Sequence, residues 1–198
     1  MAALSDIALI AQVVTFGSER AFEQLVQAHQ EAVRRFLRRL TAGDEMLADD
    51  LAQETFIRAW QHMSSFRQLS GFETWLLRIA YRVFLDEKRE AKRRPDTLSD
   101  LPVREGTKAP EDEIPQPSSV NPQPSTETET FSLHHDLDLA LATLSETERT
   151  CVILQCVEGQ SIKEIADITG LPPNTVKSHL LRGKKNLANY LRKNGYNG

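Results

Sequence analysis

The chain has 198 residues, 40% of them hydrophobic and 26% charged, and a net charge of −4 at pH 7. That leaves room for one large domain or two small ones with modest cores. Apolar runs fall far short of a membrane span, the N-terminus lacks the basic start and cleavage site of a secretory signal, and neither insertion nor export is expected.

Two cysteines, Cys151 and Cys156, share one predicted helix. They are poorly placed for a disulfide and too few for zinc, so reduced thiols in a cytoplasmic protein are expected. The acidity is concentrated in the middle of the chain. Residues 1–94 and 131–198 each carry +1, whereas residues 95–130 carry −6. Local clusters therefore matter more than the total. Lys88–Arg94 holds five basic residues against Glu90, and six basic residues with no acidic one lie between Lys177 and Lys193.

Four helices are expected in the first flank. Ser5 to Phe16 is short and amphipathic. Ser18 caps a second helix reaching about Leu40, with Phe22, Leu25, Val26, His29, Val33, Phe36 and Leu37 on its apolar side. Gly43 ends it, and Asp44 caps a third running to about Met63. After the loop 64–72, a fourth runs from Glu73 to about Arg94 and stops at Pro95.

The third helix has two faces. Ala52, Phe56, Ala59, Trp60 and Met63 converge inward, and Asp50, Gln53, Glu54 and Ile57 fall together on the opposite side. In the fourth, Phe72, Leu76, Ile79 and Val83 form an apolar stripe with Trp75 at its edge. Beside it Arg78, Arg82, Arg89 and Arg93 make a row suited to a phosphate backbone. Either polar face, taken alone, is also what a solvated helix surface looks like.

Residues 95–130 contain seven of the nine prolines, many Ser and Thr, and few large apolar side chains. The stretch reads as a flexible, acidic linker. Beyond it, helices are expected at about Ser132 to Thr143, Ser145 to Glu158, Ser161 to Thr169 and Pro172 to Arg192. His134 and His135 beside Asp136 read as a solvated turn rather than a metal pair. Ser161 with Glu164 makes a capping box, Gly170 supplies a tight turn, and Pro172 or Pro173 opens the last helix. Ile162, Ile165, Ala166, Leu171, Val176 and Leu180 hold the two helices together. This is a helix-turn-helix pattern, whose second helix presents its first residues to base edges and later cations to phosphates.

The string DDLAQETFIRAW (49–60) resembles the polymerase-binding helix of bacterial sigma factors, and LSETERTCVILQCVEGQSIKEIADITGLPPNTVKSHLLRGKKNL (144–187) resembles their −35-reading domain almost end to end. The order and compactness of the two motifs resemble the extracytoplasmic-function (ECF) type of the sigma-70 family. The resemblance implies an all-α fold of two small four-helix domains, at 1–94 and 131–198, joined by a flexible linker. It implies core RNA polymerase as a partner, through the clamp helices of its largest subunit and the flap of its second-largest, together with promoter DNA and an anti-sigma factor.

On that resemblance Asp49, Asp50, Gln53, Glu54 and Ile57 contact polymerase. Phe66, Arg67 and Phe72, in or beside a loop that accepts a flipped base, join Arg78, Arg82, Arg89 and Arg93 at the −10 element; a flipped base requires an aromatic wall. Thr175, Lys177, Ser178, His179, Leu181, Arg182 and Lys185 meet the −35 element. Two departures stand out. Arg82 replaces a common asparagine, although Asp86 is retained, and His179 stands where arginine is usual, which weakens a phosphate contact at neutral pH.

A 36-residue linker relaxes to about 30–36 Å and stretches to at most about 120 Å. Promoter elements one to two duplex turns apart lie roughly 35–70 Å from each other, so the two domains are expected to be tethered and independently placed. Two other readings compete: a helix-turn-helix regulator that binds duplex DNA without polymerase, and a helical adaptor working through protein contacts. No cofactor, metal site or catalytic set is expected, and an enzyme is the least supported class.

Overall fold

The computed structural model describes residues 2–67, 70–93 and 137–196. The proposed linker and the His134–His135 pair lie outside them. No strand occurs among the described residues. The N-terminal half comprises α1 (Ala2–Phe16), α2 (Glu19–Leu40), α3 (Glu45–Gln61), a 3-10 turn at Met63–Ser65, and α4 (Phe72–Arg93). The C-terminal half comprises α5 (137–142), α6 (Glu146–Cys156), α7 (Ile162–Thr169) and α8 (Pro173–Lys193).

Local chemistry sets these boundaries. The Ser18 side chain accepts from the Ala21 amide at 3.3 Å, and Asp44 accepts from the Leu47 amide at 3.0 Å, satisfying amides with no intrahelical partner. Between α2 and α3 the chain reverses through two left-handed residues, Ala42 (φ 56°) and Gly43 (φ 90°). In the C-terminal half Ser161 and Glu164 close the expected capping box, with bonds of 3.3 and 2.8 Å, and Gly170 takes φ 73°. Pro173 opens α8, where a missing amide costs nothing.

α2 is the axis of the N-terminal half. Leu25, Val33, Phe36 and Leu37, on one face, are fully buried and meet Leu76 and Leu77 of α4 in one core. Each such aliphatic side chain contributes roughly 1.5–3 kcal/mol by leaving water. His29 belongs to the same face. Its Nε2 lies 3.1 Å from Asp6 Oδ2, and its ring meets Phe72 edge-on. In the C-terminal half Val152, Ile153, Leu154, Ile165, Ile168, Val176 and Leu180 form the buried centre.

Three expectations change in detail. Trp75 is only 4% exposed and central rather than at an edge, and Ile79 is only partly buried. Trp60 is 37% exposed, its ring edge-on to Phe22 at 5.0 Å, rather than converging on the core. The halves, expected to stand apart, are packed together, with α7 against α4 and α6 against α2. α4 is therefore covered on two sides, and one apolar stripe could not describe it.

Candidate nucleic-acid interface

The exposed side of α3 carries Asp50, Gln53 and Ile57, with Ile57 52% exposed. Glu54 lies on the same side but is held by Arg58, whose Nε donates to Glu54 Oε1 at 2.7 Å. The other end of that guanidinium donates to Asp86 Oδ2 of α4 at 2.7 Å, and these two carboxylates hold Arg58 above its ordinary pKa. Arg58 thus braces the acidic face against α4. Asp49 points differently, toward α2, where its Oδ1 lies 3.2 Å from Arg34 Nε. Four of the five residues expected to meet polymerase share one surface, and Asp49 flanks it.

The −10 candidates are divided. Arg82 and Arg93 are exposed, and Arg89 is exposed while paired with Asp86 at 3.1 Å. Arg78 is largely covered, and its Nη1 donates to Asp167 Oδ1 of α7 at 2.9 Å. Arg67 is exposed in the loop after the 3-10 turn. Phe72 is not a loop residue: it is 5% exposed and begins α4, with its ring centroid 5.6 Å from both Phe66 and Trp75. Phe66, half-buried above this aromatic floor, is the ring available from the loop. It lines a cavity of about 590 Å³ with Arg67, Trp75 and Arg78 on one wall and Lys163, Glu164 and Asp167 of α7 on the other.

The −35 candidates sit together on α8. Lys177, Ser178, Leu181, Arg182 and Lys185 are exposed, Leu181 at 74%, with Thr175 and His179 half-buried beside them. An aliphatic side chain held out in water on a basic helix suits the thymine methyl of a base edge. Val176, Leu180 and Gly183 face inward and fix the helix's rotation. Arg182 lies 3.5 Å from Glu148 and 3.3 Å from His179 Nδ1. Cys151 is buried, and desolvation pushes its thiol up to about 11; Cys156 is exposed, and both are free.

Sequence reasoning missed the residues that join the halves. Thr74 Oγ1 donates to Gln160 Oε1 at 2.9 Å, and Arg35 donates through Nε and Nη2 to Glu158 at 3.1 and 2.6 Å. Lys88 Nζ donates to Glu146 Oε2, and burial beside α6 pushes the Tyr81 phenol up. The available signal was spacing: Thr74, Arg78, Tyr81 and Lys88 fall at offsets of 4, 7 and 14, one face of α4.

Both halves of the chain are similar to known proteins. Residues 25–94 match the family Sigma-70 region 2, and residues 134–187 match Sigma-70, region 4. The ECF RNA polymerase sigma factor SigE of Mycolicibacterium smegmatis is 34% identical over 174 residues, 87% of this chain and 62% of that protein. SigW of Bacillus subtilis, also an ECF RNA polymerase sigma factor, is 30% identical over 179 residues, 89% of this chain and 91% of that one. The sigma factor RpoE of Bartonella quintana, solved in complex with the anti-sigma factor NepR, superposes with a TM-score of 0.65 at 25% identity, covering 86% of this chain and 96% of that one. No described helix is long and apolar enough to cross a membrane. The chain belongs to the sigma-70 family, as an RNA polymerase sigma factor of the ECF type.

Proposed function

We propose that this chain binds core RNA polymerase through the Asp50, Gln53, Glu54 and Ile57 face of α3 and carries it to promoters read by α4 at −10 and α8 at −35. The observation that carries this reading is the division of exposed chemistry. An acidic and aliphatic face on α3 and a basic, aliphatic face on α8 lie on opposite halves of one chain. The first suits a partner protein, because Ile57 gives an apolar anchor inside a polar rim. The second suits DNA, because its cations lack acidic neighbours on the helix.

On this reading the chain is not an enzyme, acts in the cytoplasm, and divides into a polymerase- and −10-binding domain at 1–94, an acidic linker at 95–130 and a −35-binding domain at 131–198. The anti-sigma partner of the Bartonella relative supports a partner of the same kind here. Run-off transcription with purified core polymerase, with and without the chain, tests the reading directly. Replacing Asp50, Gln53 and Glu54 by alanine should abolish polymerase binding at unchanged helicity. Transcription that proceeds equally well without the chain, or equally well with the triple variant, rejects the assignment.

A further inference from the structure

Among the cations of α8, Arg182 is tethered at both ends of its guanidinium. Its Nε lies 3.5 Å from Glu148 Oε1 of α6, and its Nη2 donates to Nδ1 of His179, one turn back on α8, at 3.3 Å. The two anchors differ in kind. Glu148 is brought close by Gly183, since a Cβ on that glycine would lie 3.4 Å from the Glu148 Cβ. A carboxylate ordinarily keeps its charge across the neutral range, so this anchor is permanent. The other anchor is an imidazole. Arginine only donates, so Nδ1 must offer its lone pair and the ring proton must sit on Nε2; the contact exists with neutral His179 alone. Imidazoles ordinarily change charge near pH 6.5, where carboxylates and guanidinium groups do not.

α6 and α7 pack on α8, and Glu148 excepted, their ionisable groups are engaged elsewhere or lie apart. On α6, Glu146 takes Lys88, Arg149 donates to the Leu141 and Ala142 carbonyls, Cys151 is buried, and Cys156 ends the helix. On α7, Lys163, Glu164 and Asp167 line the cavity at the seam between the halves. On α8 itself the positions one turn from His179 hold Thr175, Val176, Arg182 and Gly183, so Arg182 is its one ionisable neighbour along the helix. Protonation of His179 then has two effects of the same sign. It adds a cation to a basic helix, and it turns the bond to Arg182 into repulsion.

We propose that His179 is a positioning residue for Arg182: neutral, it draws the guanidinium back along α8, and protonated, it releases that guanidinium to a phosphate backbone, so that α8 binds DNA more tightly as pH falls through the imidazole range. The tether stands on the two contacts; that DNA is what α8 meets rests on the sigma-factor reading.

The test follows the anisotropy of a short fluorescent duplex of random sequence with the full chain at pH 6.0 and 7.8. In 50 mM salt the parent should bind at least fivefold more tightly at pH 6.0. His179→Gln, which can accept a hydrogen bond but does not titrate, should change by less than twofold and stay near the parent's affinity at pH 7.8. His179→Lys, cationic throughout and unable to accept, should at pH 7.8 come within twofold of the parent's affinity at pH 6.0. A salt series separates release of Arg182 from the added charge alone. Each phosphate neutralised adds about 0.9 to the slope of log affinity against log salt, so between pH 7.8 and 6.0 the slope should steepen by about 1.8 in the parent and about 0.9 in Arg182→Met. A parent without a pH response, a His179→Gln chain that keeps it, a His179→Lys chain no tighter than His179→Gln at pH 7.8, or equal steepening in parent and Arg182→Met overturns the proposal. Run-off transcription with core polymerase at pH 7.8 tests the other claim separately. Transcripts beside a flat pH response reject the tether alone, and a pH response without transcripts rejects the sigma reading alone.

Discussion

Arg39 carries an energetic tension of the closed seam in a single side chain. Its Nε and Nη1 are buried without a hydrogen-bond partner among the described residues, and burial pulls its guanidinium below the usual range, while Asp138 and Glu158 act on it only from a distance. The neighbouring Arg35 captures Glu158 bidentately and is held above its ordinary value by that contact. Two arginines thus compete for one buried carboxylate, and Arg39 loses. A buried charged donor left unmade costs on the order of 1–3 kcal/mol. Arg39→Met keeps the apolar stem and removes the orphaned donors, so it should raise the stability of the closed chain by about 1–2 kcal/mol. Urea unfolding at low salt measures this, and a lower midpoint would show that Arg39 stabilises the seam instead.

At the scale of elements, α8 is positioned by an absence of side chain. Gly183 lies on the buried face of α8, and a Cβ there would sit 2.8 Å from Val152 Cγ2 and 3.4 Å from both Glu148 Cβ and its carbonyl oxygen. In an open helix, alanine would gain about 0.8–1 kcal/mol over glycine. Here Val152 is buried and stiff at χ1, so α8 itself must retreat from α6. Gly183→Ala should therefore lower stability by about 1–2 kcal/mol despite its better propensity; thermal melting decides, and a raised melting temperature would mean that α6 yields.

The same helices show what the sequence could and could not disclose. The caps at Ser18, Asp44 and Ser161, the turn at Gly170 and the opening of α8 were legible because each depends on residues within four positions. So were the face of α8 and, Trp60 excepted, that of α3, since a periodicity of 3.6 needs only one covering partner. α4 was not, because Trp75, Leu77, Ala80 and Tyr81 are buried by two different partners, one of them nearly a hundred residues away. Phe72 reads both as part of the apolar stripe and as a residue in or beside the base-accepting loop, and its ring is held by Phe66, Trp75 and His29. Seam residues such as Thr74, Gln160 and Glu158 gave no signal, because a buried polar contact between distant segments reads in sequence as two ordinary surfaces.

For the molecule as a whole, the distribution of charge separates two tasks that would otherwise conflict. Each flank carries +1 with its cations gathered on helices, while residues 95–130 carry eight acidic side chains against two basic ones. A chain whose DNA-binding helices were fully available would bind any duplex, since phosphate attraction is independent of sequence. Residues 95–130, covalently joined to both flanks, are expected to repel the same backbone at every sequence equally, which would lower background binding and preserve the ratio between promoter and other DNA. Neutralising all eight acidic residues moves the net charge from −4 to +4. That variant should bind random duplex at least tenfold more tightly at 50 mM salt, a difference that shrinks as salt rises because exposed charges are screened. It should also direct transcription less well, since polymerase would be carried to non-promoter sites. Fluorescence anisotropy on a random duplex across a salt series, with run-off transcription alongside, measures both. Equal duplex affinity and undiminished transcripts would mean that the charge of residues 95–130 plays no part.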